Sequence, residues 1–116
     1  MSRIVEKPWG HEMIWAETDK YVGKYLYIEA GNRLSRQYHE VKDETILVIG
    51  GKLTLEVGEG AESESLTLGN YESYRIKPGV VHRFGAEQRP VHLIEVSTTE
   101  LDDVVRIEDD YGRSSS

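Results

Sequence analysis

The 116-residue sequence contains no cysteine. That excludes disulfide frameworks, thiolate metal sites and thiol nucleophiles, and it suits a reducing cytosol. Any metal has to be held by His, carboxylate or amide groups. Positive charge is scarce too: 14 Lys and Arg stand against 21 Asp and Glu, a formal net charge of −7. Such a chain lacks the basic field on which nucleic-acid and anionic-membrane binders rely, so neither is an expected partner. Nothing approaches the roughly 18 consecutive apolar residues of a membrane-spanning helix, and the opening MSRIVEKPWGHEM has no apolar run of signal-peptide length. The expected location is the cytoplasm.

Helical periodicity is nearly missing, whereas strand-like alternation is frequent. VGKYLYIEA (22–30) puts Leu26, Ile28 and Ala30 on one face and Tyr25, Tyr27 and Glu29 on the other. TILVI, KLTLEV, LTL, YRI, VVHRF and VHLIEVS follow as short strands, with Leu53, Leu55 and Val57 sharing a face. Turn signals at AGN (30–32), EVKDE (40–44), Gly50–Gly51, GEGAESES (58–65), KPG (77–79) and RP (89–90) lie mostly 8 to 12 residues apart, which predicts an all-β sandwich or barrel. The polar run EVKDE (40–44) reads as a hairpin connection, and GEGAESES (58–65) as a polar loop. LDDVVRIEDDYGR reads as a short helical turn or a covering arm. One domain is expected over residues 1–113, with an N-terminal arm and a disordered tail at 114–116.

The chemistry concentrates in LSRQYHEVKDET (34–45). Gln37 and His39, two apart on a strand, leave the same face about 6.5 Å apart and can converge on one ion. Glu44 has the wrong parity for a continuous strand, so chain reversal must bring it to the same point. His82, inside an apolar run after KPG, is the candidate fourth ligand. A single His in a strand is more often a hydrogen-bonded core or surface residue than a ligand, and Gln37 or Glu44 alone would be ordinary surface. Together, inward-facing Gln, His and Glu in a small β-core are costly without a common partner, which favours a metal.

The spacing Gly31, five residues, Gln37, one residue, His39, four residues, Glu44, six residues, Gly51 resembles the first motif of the cupins, with Gln where most have a His. RIKPGVVHRF resembles the second, with its proline shifted by one and Ala86 where an Asn is usual. EKPWG, LSRQYH, VVHRF, LIEVS and DDVVRIEDDYGR resemble, in the same order, the cupin domain of type II phosphomannose isomerases. The resemblance implies a single-domain double-stranded β-helix, or jelly-roll barrel, with a divalent metal held by Gln37, His39, Glu44 and His82. It also implies a homodimer, which fits a free N-terminal arm. Family members often join this domain to a nucleotidyltransferase, and no glycine-rich nucleotide signature precedes the cupin part of this sequence.

An amide oxygen in place of an imidazole hardens the site, which favours Zn²⁺ or Mn²⁺ as a Lewis acid over redox iron and disfavours a dioxygenase or epimerase. The reaction that the resemblance implies is aldose–ketose isomerisation of a sugar phosphate, mannose 6-phosphate to fructose 6-phosphate. A non-catalytic metal-centred sugar-binding cupin is the alternative. Glu95, Arg83 and Arg106 form the expected catalytic set, with Arg83, Arg106 and Arg113 gripping the phosphate. For each arginine the competing reading is a surface ion pair with Asp102, Asp103, Asp109 or Asp110. Parity does not decide whether Glu95 or His92 faces inward. Arg36 is expected outside the barrel, His11 in a structural or rim position, and Trp9 as the anchor of the arm.

Overall fold

A computed structural model describes residues 2–113, so the tail expected at 114–116 lies outside the described residues. The strands are β1 (Arg3–Lys7), β2 (Gly10–Glu17), β3 (Val22–Ile28), β4 (Arg36–Tyr38), β5 (Glu44–Gly50), β6 (Leu53–Val57), β7 (Glu64–Leu68), β8 (Ser73–Ile76), β9 (His82–Gly85), β10 (Val91–Ser97) and β11 (Val105–Glu108). They form two antiparallel sheets, β1-β2-β3-β10-β5-β8 and β11-β4-β9-β6-β7. This is the jelly-roll barrel that the alternation and the resemblance predict. No helix among the described residues is long and apolar enough to cross a membrane.

Inward side chains follow the period-two pattern of strands buried on one face. Leu26 and Ile28 on β3, Ile46 and Val48 on β5, Leu53 and Leu55 on β6, Phe84 on β9, and Val91 and Leu93 on β10 pack into one core. Trp9, in the turn between β1 and β2, is buried in that core and anchors the N-terminal segment as expected. Gly51, with a φ of 82°, sits where an added Cβ would strike the Pro90 carbonyl oxygen, so the β5–β6 turn requires glycine.

Four expectations are corrected. The run 40–44 is not a hairpin: β4 and β5 belong to different sheets, and the chain crosses the barrel between them. The C-terminal segment forms no helical turn: Val105–Glu108 pairs with β4 as an edge strand, which leaves the covering-arm reading. The N-terminal arm is not free, since β1 pairs with β2 and β2 with β3 in this same chain. The homodimer expectation loses the support it drew from a free arm. Ala30 lies beyond the end of β3 and is exposed, because the chain is already turning there.

Candidate metal centre and cavity

One end of the barrel opens into a cavity of about 270 Å³ whose lining includes Gln37, His39, Glu44 and Glu95. Gln37 lies on β4 directly opposite His82 on β9, so the two strands bring residues 45 apart in number into register. Glu44 opens β5 and reaches the same point from the facing sheet. Ligand atoms of His39, Glu44 and His82 all lie within 4.8 Å of one another, and all three residues are buried.

The hydrogen bonds at the back of each imidazole decide what its front can do. His39 Nδ1 lies 2.6 Å from the Asp103 carbonyl oxygen, and His82 Nδ1 lies 2.9 Å from that of Val80. A carbonyl only accepts, so Nδ1 carries the proton in both rings and a neutral ring presents a bare Nε2 lone pair. Both Nε2 atoms and Glu44 Oε1 are buried without a hydrogen-bond partner. His39 Nε2 nevertheless stands 2.6 Å from Glu44 Oε1, out of hydrogen-bond alignment. Two acceptors so close need a positive charge between them, either a second proton on His39 or a cation shared with His82. The donor set fits a divalent metal, and carbonyl contacts behind ligand imidazoles are the usual supporting arrangement. Gln37 Oε1 accepts a bond from Ser35 Oγ at 2.6 Å, which leaves a second lone pair for an ion.

The loop between β4 and β5 is held by Asp103. Its carboxylate accepts the backbone N–H groups of Glu40, Val41 and Lys42 at 3.0, 2.7 and 2.9 Å. Gly79, at a φ of 84°, donates its N–H to the His39 carbonyl at 2.7 Å, so the KPG turn braces the same loop. Sequence reasoning offered Asp103 only as a counterion for an arginine and gave no sign of this bracing role.

Lys42 was missed altogether. It looks like one charge in a polar connection, yet it is 4% exposed, with Nζ 3.5 Å from Glu44 Oε1 and 3.2 Å from Glu95 Oε2. Burial alone would strip its proton, but Glu95 and Glu44 outweigh burial and hold the ammonium above its ordinary value. Burial would likewise raise Glu44. The His39 contact and the charges of Lys42 and His82 instead hold it well below the usual carboxylate range. Glu95 responds the other way: burial, then the Glu44 charge, push it up to about 7 against the pull of Lys42 and Lys24.

Between Glu95 and His92 the inward residue is Glu95, which is buried on β10. His92 points outward, where Nδ1 meets the Tyr25 hydroxyl and the ring stacks on Tyr25. His11 stacks on Tyr27 on the same outer face, a structural position. Arg36 is outside the barrel as expected, bonded to Glu56 at 2.6 Å and Glu108 at 2.8 Å.

Arg83 is a correction. It alternates with His82 and Phe84, so its side chain leaves the other face of β9, away from the cavity. There it is buried, donating to the Leu34 carbonyl at 2.9 Å and to Asp110 at 3.0 Å, and it acts as a clamp on the C-terminal segment. Arg106 and Arg113 do line the cavity. Arg113 is bonded to Asp109 at 2.9 and 3.0 Å, the ion pair that competed with its binding role.

The family model described as "Mannose-6-phosphate isomerase C-terminal" matches residues 1–109. The mannose-1-phosphate guanylyltransferase ManC of Salmonella typhimurium is 35% identical over 117 aligned positions, covering 97% of this chain and 24% of that protein. The chain thus spans about a quarter of the length of the curated relatives it matches. Among solved structures, the capsular polysaccharide assembling protein CapF of Staphylococcus aureus superposes over 93% of this chain and 34% of its own with a TM-score of 0.82 at 16% identity. An oxalate decarboxylase of Bacillus subtilis, described by its Mn(II) centres, superposes over 90% of this chain and 30% of its own at 0.77 and 14%. These structures share the fold alone, whereas the sequence match runs through both segments that carry the candidate ligands, and the chain belongs to the mannose-6-phosphate isomerase C-terminal family.

Proposed function

We propose that this domain catalyses metal-assisted aldose–ketose isomerisation of a sugar phosphate, interconverting mannose 6-phosphate and fructose 6-phosphate. The observation that carries this reading is the inward Glu95, a buried carboxyl pushed up to about 7 beside the His39–Glu44–His82 cluster. A base for proton transfer between two sugar carbons works best with a pKa near the working pH. Gln37, His39, Glu44 and His82 would hold Zn²⁺ or Mn²⁺, which as a Lewis acid supplies polarisation of the oxygens on C1 and C2.

In the forward direction the ionised Glu95 takes the proton from C2 of the open-chain aldose. The C2–H electron pair becomes the C1–C2 double bond and the C1 carbonyl electrons move onto their oxygen, which takes the proton of the C2 hydroxyl. Glu95 then returns its proton to C1 as the C2 oxygen closes to the ketone, so atoms and charge balance. Lys42 keeps Glu95 ionisable and can donate to a sugar oxygen. Arg106 and Arg113 receive the phosphate. The barrel wall of Trp9, Leu26, Leu34 and Phe84 limits water around the reacting carbons.

A coupled assay with Zn²⁺ or Mn²⁺ tests this. Turnover of mannose 6-phosphate is expected, with Glu95→Gln losing about 10²- to 10⁴-fold while sugar-phosphate affinity stays within a few-fold. Absence of turnover by the unmodified chain with every divalent metal, together with retained binding, would leave the non-catalytic sugar-binding cupin as the better description.

A further inference from the structure

The cavity mouth carries two lysines that the motif reading did not reach. Lys7 ends β1, Lys24 lies on β3, and both line the same cavity as Arg106 and Arg113. Glu12, on the intervening β2, is the carboxylate both lysines approach, at 3.9 Å from Lys7 and 3.5 Å from Lys24. A well-aligned charge-assisted bond runs nearer 2.7–2.9 Å, so one carboxylate is stretched between two ammonium groups. Lys24 is 7% exposed, an expensive position for a cation held by so long a contact. The neighbouring charges aggravate this. Burial lowers the Lys7 ammonium and Glu12 only partly offsets it, while Lys24, Arg113 and Arg106 push it lower still.

We infer that Lys7, Lys24, Arg106 and Arg113 form a receptor for the phosphate dianion of a phosphorylated sugar, and that Glu12 is a built-in competitor which this dianion displaces. The inference rests on the proposed sugar-phosphate reading and deepens it by naming the residues that select a phosphomonoester over a neutral sugar. A phosphate near pH 7 carries about −1.5 to −2 charge on three acceptor oxygens, against the single charge of Glu12, so it can meet both ammonium groups and the guanidinium groups at once. Six cations line the cavity against five carboxylates, and with Arg3 paired to Glu17 and Lys42 to Glu44 and Glu95, Glu12 is the carboxylate that Lys7 and Lys24 share. The N-terminal hairpin then has a task in binding: β1 and β2 carry Lys7 and Glu12 to the rim of a pocket whose metal ligands lie elsewhere in the sequence.

The experiment is a calorimetric titration of the full chain, as purified, with inorganic phosphate, mannose 6-phosphate and mannose, for the unmodified protein and for Glu12→Gln, Lys7→Met and Lys24→Met. Removing the competitor should tighten phosphate and mannose 6-phosphate binding by about 3- to 10-fold, because the dianion then meets no like charge at the site. Lys7→Met should weaken both about 10-fold and leave mannose unchanged. Lys7 is partly exposed, so its replacement reports on binding even where Lys24→Met does not fold. Mannose 6-phosphate should bind more tightly than inorganic phosphate; equal affinities would mark a site for free phosphate and overturn the proposal. Phosphate binding that ignores both Glu12→Gln and Lys7→Met, or no phosphate binding at all, would also overturn it. None of these readouts needs turnover, so a failed isomerase assay beside a responsive phosphate site separates the two claims.

Discussion

The two halves of the barrel interior are built from the same strands and filled by opposite chemistry. Along β3 the inward residues run Lys24, Leu26, Ile28; along β5, Glu44, Ile46, Val48; back along β10, Glu95, Leu93, Val91; and on β9, His82 then Phe84. One step of two residues, about 6.5–7 Å, separates a buried charge or imidazole from close-packed aliphatic carbon. The apolar half stabilises the fold by removing carbon from water. The polar half costs stability unless its groups satisfy one another or a ligand, and a fold that keeps it must use it. Charged residues towards one end of the strands, with apolar ones behind them, set Glu44, His82 and Glu95 on a rigid floor, and the braced β4–β5 loop adds His39 and Lys42.

The sharpest way to break this contrast is to remove the one ammonium that serves two carboxylates. Lys42→Met leaves Glu44 and Glu95 buried without their cation. The expected loss in denaturant unfolding is about 3–5 kcal/mol, the scale of a broken buried pair. Added Zn²⁺ should return part of that loss, because the ion supplies a replacement charge beside Glu44. A variant as stable as the parent, or one that Zn²⁺ does not help, would mean that the polar half is not organised around charge neutralisation.

Just behind, Ile46→Ala should cost about 2–5 kcal/mol through lost burial and the cavity left in a packed core. Ile46 is fully buried and neighbours Glu95 across the β5–β10 ladder. Its replacement is nevertheless expected to leave Zn²⁺ affinity within about 3-fold, since no ligand atom is removed. A large fall in metal affinity would show that the two halves are coupled rather than merely adjacent.

The apolar half was legible in the sequence because strands buried on one face record their orientation as period two: alternation alone put Leu26 and Ile28 on one face and Leu53, Leu55 and Val57 on another, and these pack into or against the core. That Gln37 and His39 share one face of an extended segment was legible from spacing, and His39 does meet Glu44 and His82. The closure of the cluster was not. The 40–44 segment looked like a hairpin because a polar run says that the chain turns but not which sheet it turns into. Lys42 was hidden for a similar reason, since the carboxylate that completes its environment, Glu95, lies 53 residues later in the chain. Arg83 was misassigned although the needed signal was present: an inward His82 followed by an inward Phe84 leaves the residue between them facing outward.

A smaller effect separates the titrating groups of the polar half. The Glu95 carboxyl is pushed up to about 7 by burial and then by Glu44, from 4.5 when free. Between those values the native chain holds a proton that the unfolded chain has lost, so stability falls as pH rises from about 4.5 to about 7 and is level beyond. His82 opposes this: burial lowers its pKa from 6.5, so its neutral native form gains stability as pH rises towards that value. The difference between the unmodified protein and Glu95→Gln, both freed of metal by chelation, isolates the first contribution. Over that window the unmodified protein should lose more stability than the variant, and parallel curves would contradict the assignment.

The smallest effect is expected from an ion pair shorter than either Lys42 contact. Arg3 and Glu17 approach to 2.6 Å across the N-terminal strands, with side chains 57% and 40% exposed, although Arg3 also reaches the cavity lining. Lys42 stands farther from both its partners, yet its pairs lie where water cannot screen them. If distance governed, Arg3→Met would be the more damaging change. Solvent screening and the entropy of holding two long side chains in one geometry argue otherwise, so the expected change in unfolding free energy is below about 0.5 kcal/mol, and moderate salt should shrink it further. A loss approaching that of Lys42→Met would mean that the outer pair fixes the hairpin rather than decorating it, and the contrast between a charged interior and a charged surface would then have to be redrawn.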